Sequence, residues 1–183
     1  MIVGIHGRKG AGKSWLAQKL VNHLGFVEFS FADPVRVMAD TFLQQAGVPE
    51  KLITLAKADK EMPFLLPGGK MTSMRYLLQT LGTDWGRNLV DPAIWLNIGL
   101  QQATNHDRVV FDAIRFPNEA RAIKNRGGLM IGIRSHTDDQ HASENQEVEC
   151  DFWIKPKDFD LGKVLSAVGR VTLGEPHNFK AAS

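Results

Sequence analysis

Gly7-Arg8-Lys9-Gly10-Ala11-Gly12-Lys13-Ser14 decides how the rest of the chain is read. Its spacing is G-x-x-x-x-G-K-[ST] in full. Before it, Ile2-Val3-Gly4-Ile5-His6 is an apolar run of strand length. After it, residues 14–24 carry helical spacing, with Trp15, Leu16, Leu20, Val21 and Leu24 as the apolar face and Gly25 at the left-handed position that ends a helix. A strand, a glycine-rich turn and a helix in that order aim successive backbone N–H groups, and the positive end of a helix dipole, at one point. An anion belongs there, and a phosphate chain fits best.

Working outward, apolar runs of strand length alternate with helical patterns. Residues 26–29 read as a strand. Asp33-Pro34 opens a helix, with Asp33 as N-cap and proline in the first turn, that ends near Gly47. Residues 58–72 contain Pro63, Pro67, Gly68 and Gly69 and read as a mobile loop. Thr72 or Ser73 caps a helix to about Leu81, Gly82 breaks it, and Thr83 caps a new turn carrying Arg87. Asp91-Pro92 opens a helix to about Asn105. Residues 108–112 form a strand ending in Asp112, and residues 118–126 a helix stopped by Gly127-Gly128. Strands follow at 129–133 and 152–154, with a polar loop at 135–149 between them and a last helix at 161–168. The tail from Gly174 carries no pattern. Strands alternating with helices imply an α/β fold of three layers around a central, mostly parallel sheet. One domain, 1–173, carries the loops 58–72 and 135–149, which are expected to close over ligands, and a C-terminal tail, 174–183. The motifs fall beyond the carboxyl ends of the strands, where ligands of such sheets sit.

The 183 residues are 43% hydrophobic and 23% charged, with a formal net charge of +2. So small a basic excess speaks against a dedicated nucleic-acid binder. Cys150 is the single cysteine, which rules out an internal disulfide and reads as a small buried thiol. No apolar run approaches the roughly 20 residues of a membrane span. Residues 1–6 lack the positive region of a signal peptide, so the cytoplasm is the expected compartment.

The phosphate loop supplies its own assignments. Gly7, Lys9, Gly10, Ala11, Gly12, Lys13 and Ser14 are candidate ATP-binding residues, with Lys13 reaching the β- and γ-phosphates and Ser14 ligating Mg2+. Asp112 either holds a magnesium-bound water or caps the next turn. Transfer between two phosphates gathers several negative charges, so the site needs arginines, whose planar fork binds phosphate at two points. Arg75 and Gln79 stand four apart and share a helix face, with Leu77, Leu78 and Leu81 packing inward. An amphipathic helix with solvated arginines is the plain alternative. Arg115, three residues past Asp112, either clamps a transferring phosphoryl group or pairs with Glu119. In the loop holding His141, Ser143 and Glu144, serine and glutamate suit a base edge or sugar, and the spacing matches no zinc pattern.

Together the phosphate loop, Ser30-Phe31-Ala32-Asp33-Pro34, Arg75…Leu78-Gln79…Leu81-Gly82-Thr83…Gly86-Arg87, Asp112…Arg115-Phe116…Asn118-Glu119 and His141…Ser143-Glu144 resemble the bacteriophage-type deoxynucleoside monophosphate kinases. The resemblance runs from residue 2 to about residue 154. It implies a P-loop kinase fold, ATP as donor, Mg2+, a (deoxy)nucleoside monophosphate as acceptor, and a host-cytoplasmic setting. It places Lys13, Asp112 and Arg115 in catalysis, and Ser14 and Asp112 at the metal. It places Arg75, Gln79 and Arg87 in the acceptor site with Asp33 and Arg36 beside them; Thr83, Trp95, Ser143 and Glu144 complete the candidates. A homodimer is one open arrangement. Two other readings stay open: another small-molecule P-loop kinase, similar to dephospho-coenzyme A kinase or phosphomevalonate kinase, and a non-catalytic nucleotide-binding switch. A GTP-reading Asn-Lys-x-Asp is missing, its nearest match being Asn125-Arg126.

Overall fold

A computed structural model of the chain describes residues 1–8, 10–134, 148–155 and 160–172. Strand β1, Ile2–Gly7, buries Val3 and Ile5 completely on one face. Gly4 between them leaves the other face bare, and neighbours fill it: a Cβ at Gly4 would stand 2.5 Å from Met130 Sδ and 2.8 Å from Ile123 Cδ1. A strand buried on both faces belongs in the middle of a parallel sheet. β2 (Val27–Phe29), β5 (Val109–Ile114), β6 (Leu129–Ile133) and β7 (Phe152–Ile154) complete that sheet in the order β2-β5-β1-β6-β7, every pair parallel. Helices α1 (Lys13–Leu24) and α7 (Leu161–Thr172) cover one face through Leu16, Ala17, Leu20, Val164 and Val168. Ile123 of α6, Pro117–Lys124, packs on the other. The result is a three-layer α/β architecture around a five-stranded parallel sheet.

Trp15 does not join the apolar face of α1. At about 100° per residue it lies roughly 150° from the middle of the stripe made by Leu16, Ala17 and Leu20. It is 49% exposed, with Lys19 Nζ 5.5 Å from its ring centroid. Cys150 is partly buried as expected; burial pushes its thiol up to about 12, so it stays protonated at neutral pH. No helix among the described residues is long and apolar enough to cross a membrane.

The sequence suggests one domain; contacts gather the chain into two compact units, Met1–Ser30 with the residues from Ala103 onward, and Phe31–Gln102. The second unit holds α2 (Asp33–Gln45), α3 (Glu50–Ala58), β3 (Pro63–Leu65), β4 (Met71–Ser73), α4 (Met74–Gln79), a π-helix (Thr80–Val90) and most of α5 (Ile94–Ala103). Ala39, Leu43, Ile53, Phe64, Met74 and Leu77 are among its core residues. Asp33 is not the N-cap of α2. It is the first helical residue, after Ala32, and its carboxylate takes Arg36 Nη1 at 2.5 Å.

Residues 58–72 are not an irregular loop. β3 and β4 pair antiparallel, with Phe64 opposite Thr72 and both buried, while Leu65 and Met71 face outward. Alternation of period two gives that pattern. The prolines and glycines serve the hairpin tip: Gly69 N–H bonds Leu66 O at 3.0 Å, and Gly68, at φ 95°, holds the third turn position, where a type II turn needs a left-handed residue.

Ser73 caps α4 as expected, its hydroxyl accepting from Tyr76 N–H at 3.2 Å. The break at Gly82 does not occur. The helix runs on with wider, π-type turns to Val90. Thr80 Oγ1 bonds Tyr76 O and Leu77 O, 3.0 and 3.1 Å away, where the two geometries meet. Asp91, as predicted, caps the next turn, taking Ala93 N–H at 2.8 Å ahead of α5.

Candidate functional site

The loop between β1 and α1 is shaped by its ends. Gly12 sits at φ 96°, in the left-handed region, immediately before the first residue of α1. A side chain there would be strained, so glycine lets the helix start directly on the loop. Lys13 folds back over this loop: its Nζ donates to Gly7 O at 2.7 Å and Arg8 O at 2.8 Å. The ammonium thus stands where the loop curls. Lys9 lies outside the described residues.

Asp112 does not end its strand, because β5 continues to Ile114. Against β1 the register slips: Gly4 faces Phe111 but His6 faces Ile114, so β5 holds one extra residue. A bulge of this kind re-aims a side chain. Asp112 Oδ2 lies 3.5 Å from Ser14 Oγ, at the outer limit of a hydrogen bond donated by the hydroxyl. Asp112 Oδ1 is shut off from solvent. His6 Nδ1–H donates to Ile114 O at 2.8 Å, which fixes its tautomer and pins β5 beyond the bulge.

Arg115 follows at once and is exposed. Glu119 does not meet it as an ion pair. The Glu119 side chain is turned inward, the residue being 3% exposed, and its Oε2 accepts from the backbone N–H groups of Arg115 (2.9 Å) and Phe116 (3.2 Å). The carboxylate therefore fixes the main chain under Arg115. Glu119→Ala should strand both donors and lower stability by about 1–3 kcal/mol. Glu119→Gln, which keeps an acceptor oxygen, should lose much less. Urea unfolding midpoints check this, and an alanine variant as stable as the parent would contradict it.

The second unit holds the remaining candidates. Arg75 Nε donates to Glu61 Oε1 at 2.7 Å across an exposed pair, a bond of small net worth in water. Asp33 and Arg36 pair with each other in the same exposed way. Gln79 and Thr83 are exposed and Arg87 is half-buried. Trp95 differs from the rest of its set. It is 3% exposed, its Nε1–H donates to Gly82 O at 2.7 Å, and its ring lies against Gly86. Its place is under the π-helix, not at an open surface. Ser143 and Glu144 lie outside the described residues.

No family model matches the chain. A protein of Acanthamoeba polyphaga mimivirus, provisionally named a deoxynucleotide monophosphate kinase, is 35% identical over 163 residues, covering 79% of this chain and 80% of the relative. The chain belongs to the deoxynucleotide monophosphate kinase family. The crystal structure of a shikimate kinase from Aquifex aeolicus vf5 superposes with a TM-score of 0.49 at 12% identity, over 95% of this chain and 97% of that one. By family the protein is a P-loop kinase, a phosphotransferase. For this kinase, sequence patterns misassign one side chain that shapes the site, Glu119, and miss another, His6. Glu119 sits three residues after Phe116, with Pro117 at the first helical turn, and the N3 position of a helix is where a carboxylate reaches back to the N-cap N–H. That signal was available. His6 has no such signal, since its partner lies 108 residues away.

Proposed function

We propose that this kinase transfers the γ-phosphoryl group of ATP to the phosphate of a deoxynucleoside monophosphate, giving ADP and the deoxynucleoside diphosphate. The observation that carries the proposal is the Lys13 ammonium folded over its own phosphate loop beside Ser14 and Asp112, in a chain of this family. An acceptor phosphate oxygen attacks the γ-phosphorus, the bond from the γ-phosphorus to the bridging oxygen breaks, and ADP leaves. Lys13 exchanges Gly7 O and Arg8 O for β- and γ-phosphate oxygens, loop N–H groups take the remaining charge, and Arg115 holds the group in transit. Ser14 Oγ and Asp112 Oδ2 are hard oxygen donors suited to Mg2+, which binds protein through one or two such groups and otherwise keeps water and phosphate. Bound there, Mg2+ would offset charge on the β- and γ-phosphates. Arg75, Gln79, Thr83 and Arg87 take the acceptor.

An ADP-release assay with ATP and a panel of ribo- and deoxynucleoside monophosphates, dephospho-coenzyme A and phosphomevalonate tests the proposal. Turnover is expected with one or more deoxynucleoside monophosphates and not with the last two acceptors. ADP release driven by either of those, and by no nucleotide, would reverse the assignment.

A further inference from the structure

Arg75, Gln79, Thr83 and Arg87 are spaced at intervals of four. In an unbroken α-helix, at about 100° per residue, Arg87 would point about 120° away from Arg75. Bonding from i to i+5 widens the turn to roughly 85° per residue. With α-helix to Gln79 and π-helix beyond it, all four side chains fall within about 40° of one line. Burial follows the same period: Met74 and Gly86 are buried on the inner side, while Gln79 and Thr83 are exposed. The register of the π-helix thus makes a row out of four scattered residues.

An 11-residue π-helix is long for a conformation mostly seen as single-turn bulges, so something must hold it. Trp95 is placed to do so. Its indole N–H takes the Gly82 carbonyl, and its ring occupies the space that a Cβ at Gly86 would need, 2.3 Å from Cζ2. Both glycines sit on the inner side of the helix: Gly82 is 3.5 Å from Val35 by the same measure. Trp85 packs on Trp95 with ring centroids 6.2 Å apart.

We propose that Trp95 is the positioning residue of the acceptor row: by bonding Gly82 and seating Gly86 it holds Thr80–Val90 in π register, and that register brings Arg75, Gln79, Thr83 and Arg87 onto one face for an anionic monophosphate. This rests on the acceptor role given above to that row. Trp95 touches no substrate in this account. It acts through the helix.

Trp95→Phe removes the N–H donor and keeps an aromatic ring. Gly86→Ala keeps the donor and displaces the ring, and serves if the first variant does not fold. Either should raise the KM for the monophosphate roughly tenfold and leave the KM for ATP within about twofold, consistent with the loss of one hydrogen bond's alignment at the acceptor only. Combining either with Arg87→Ala should cost less than the two single effects multiplied, because the arginine is already misplaced. Equal shifts in both KM values, or full multiplicativity with Arg87→Ala, would overturn the proposal. So would unfolding of both variants, which would make Trp95 a core residue only. If Arg75→Ala and Arg87→Ala themselves leave the monophosphate KM unchanged, the acceptor reading fails and this proposal with it. If those two raise it and the Trp95 and Gly86 variants do not, the positioning role alone fails.

Discussion

Lys13→Ala should leave a folded protein whose phosphoryl transfer has fallen by roughly 10²–10³-fold or more, the cost of removing one preorganised charged donor from a transition state. Folding should survive because Lys13 is partly exposed at the start of α1, where water can take over the Gly7 and Arg8 carbonyls. Transfer should not survive, because charge builds on the β–γ bridging oxygen and the γ-oxygens as the bond breaks, and the ammonium folds over the loop itself. Circular dichroism and ADP release, measured on the same preparation, check both halves. Turnover within a few-fold of the parent would mean that the loop does not hold the transferring group.

Arg87→Ala should raise the KM for the monophosphate about 10–100-fold and change the KM for ATP little, since a charge-assisted hydrogen bond to an anion is worth about 1.5–3 kcal/mol. Arg75→Ala should act in the same direction. Its guanidinium already has Glu61 as a partner at 2.7 Å, but that pair is exposed, so a phosphate dianion competes for it readily. Initial rates over a matrix of both substrates separate the two KM values. Equal increases in both would place these arginines elsewhere than the acceptor.

What the sequence reveals and hides follows from the range of the interactions involved. β1 and β6 are apolar runs set off by glycine or polar residues, and such runs are legible because burial on both faces leaves little room for polar residues. The phosphate loop is legible because its glycines and lysine answer to one local geometry. Segments 50–58 and 58–72 are not. The N-cap of α3 is Pro49, with no side-chain cap to announce it, and three-residue strands give too little alternation to outweigh two prolines and two glycines. Those residues mark a turn, as residues of that kind do; the paired strands on either side are what the pattern conceals. The bulge beside Asp112 depends on the register of β5 against β1, a pairing of residues more than a hundred positions apart. The π-helix depends on Trp95, whose sequence neighbourhood reads as an ordinary helix start. A glycine at position 82 reads as a break because a glycine in a helix is costly unless something repays it, and that something is 13 residues further on.

The central claim is a direct transfer between two phosphates. ATP labelled at its γ-phosphate, incubated with Mg2+ and each deoxynucleoside monophosphate in turn, tests it most directly once products are separated. The account predicts label in the β-phosphate of a deoxynucleoside diphosphate, in amounts equal to the ADP formed, and no such product with Lys13→Ala. Label recovered only as inorganic phosphate, whatever monophosphate is present, would contradict it.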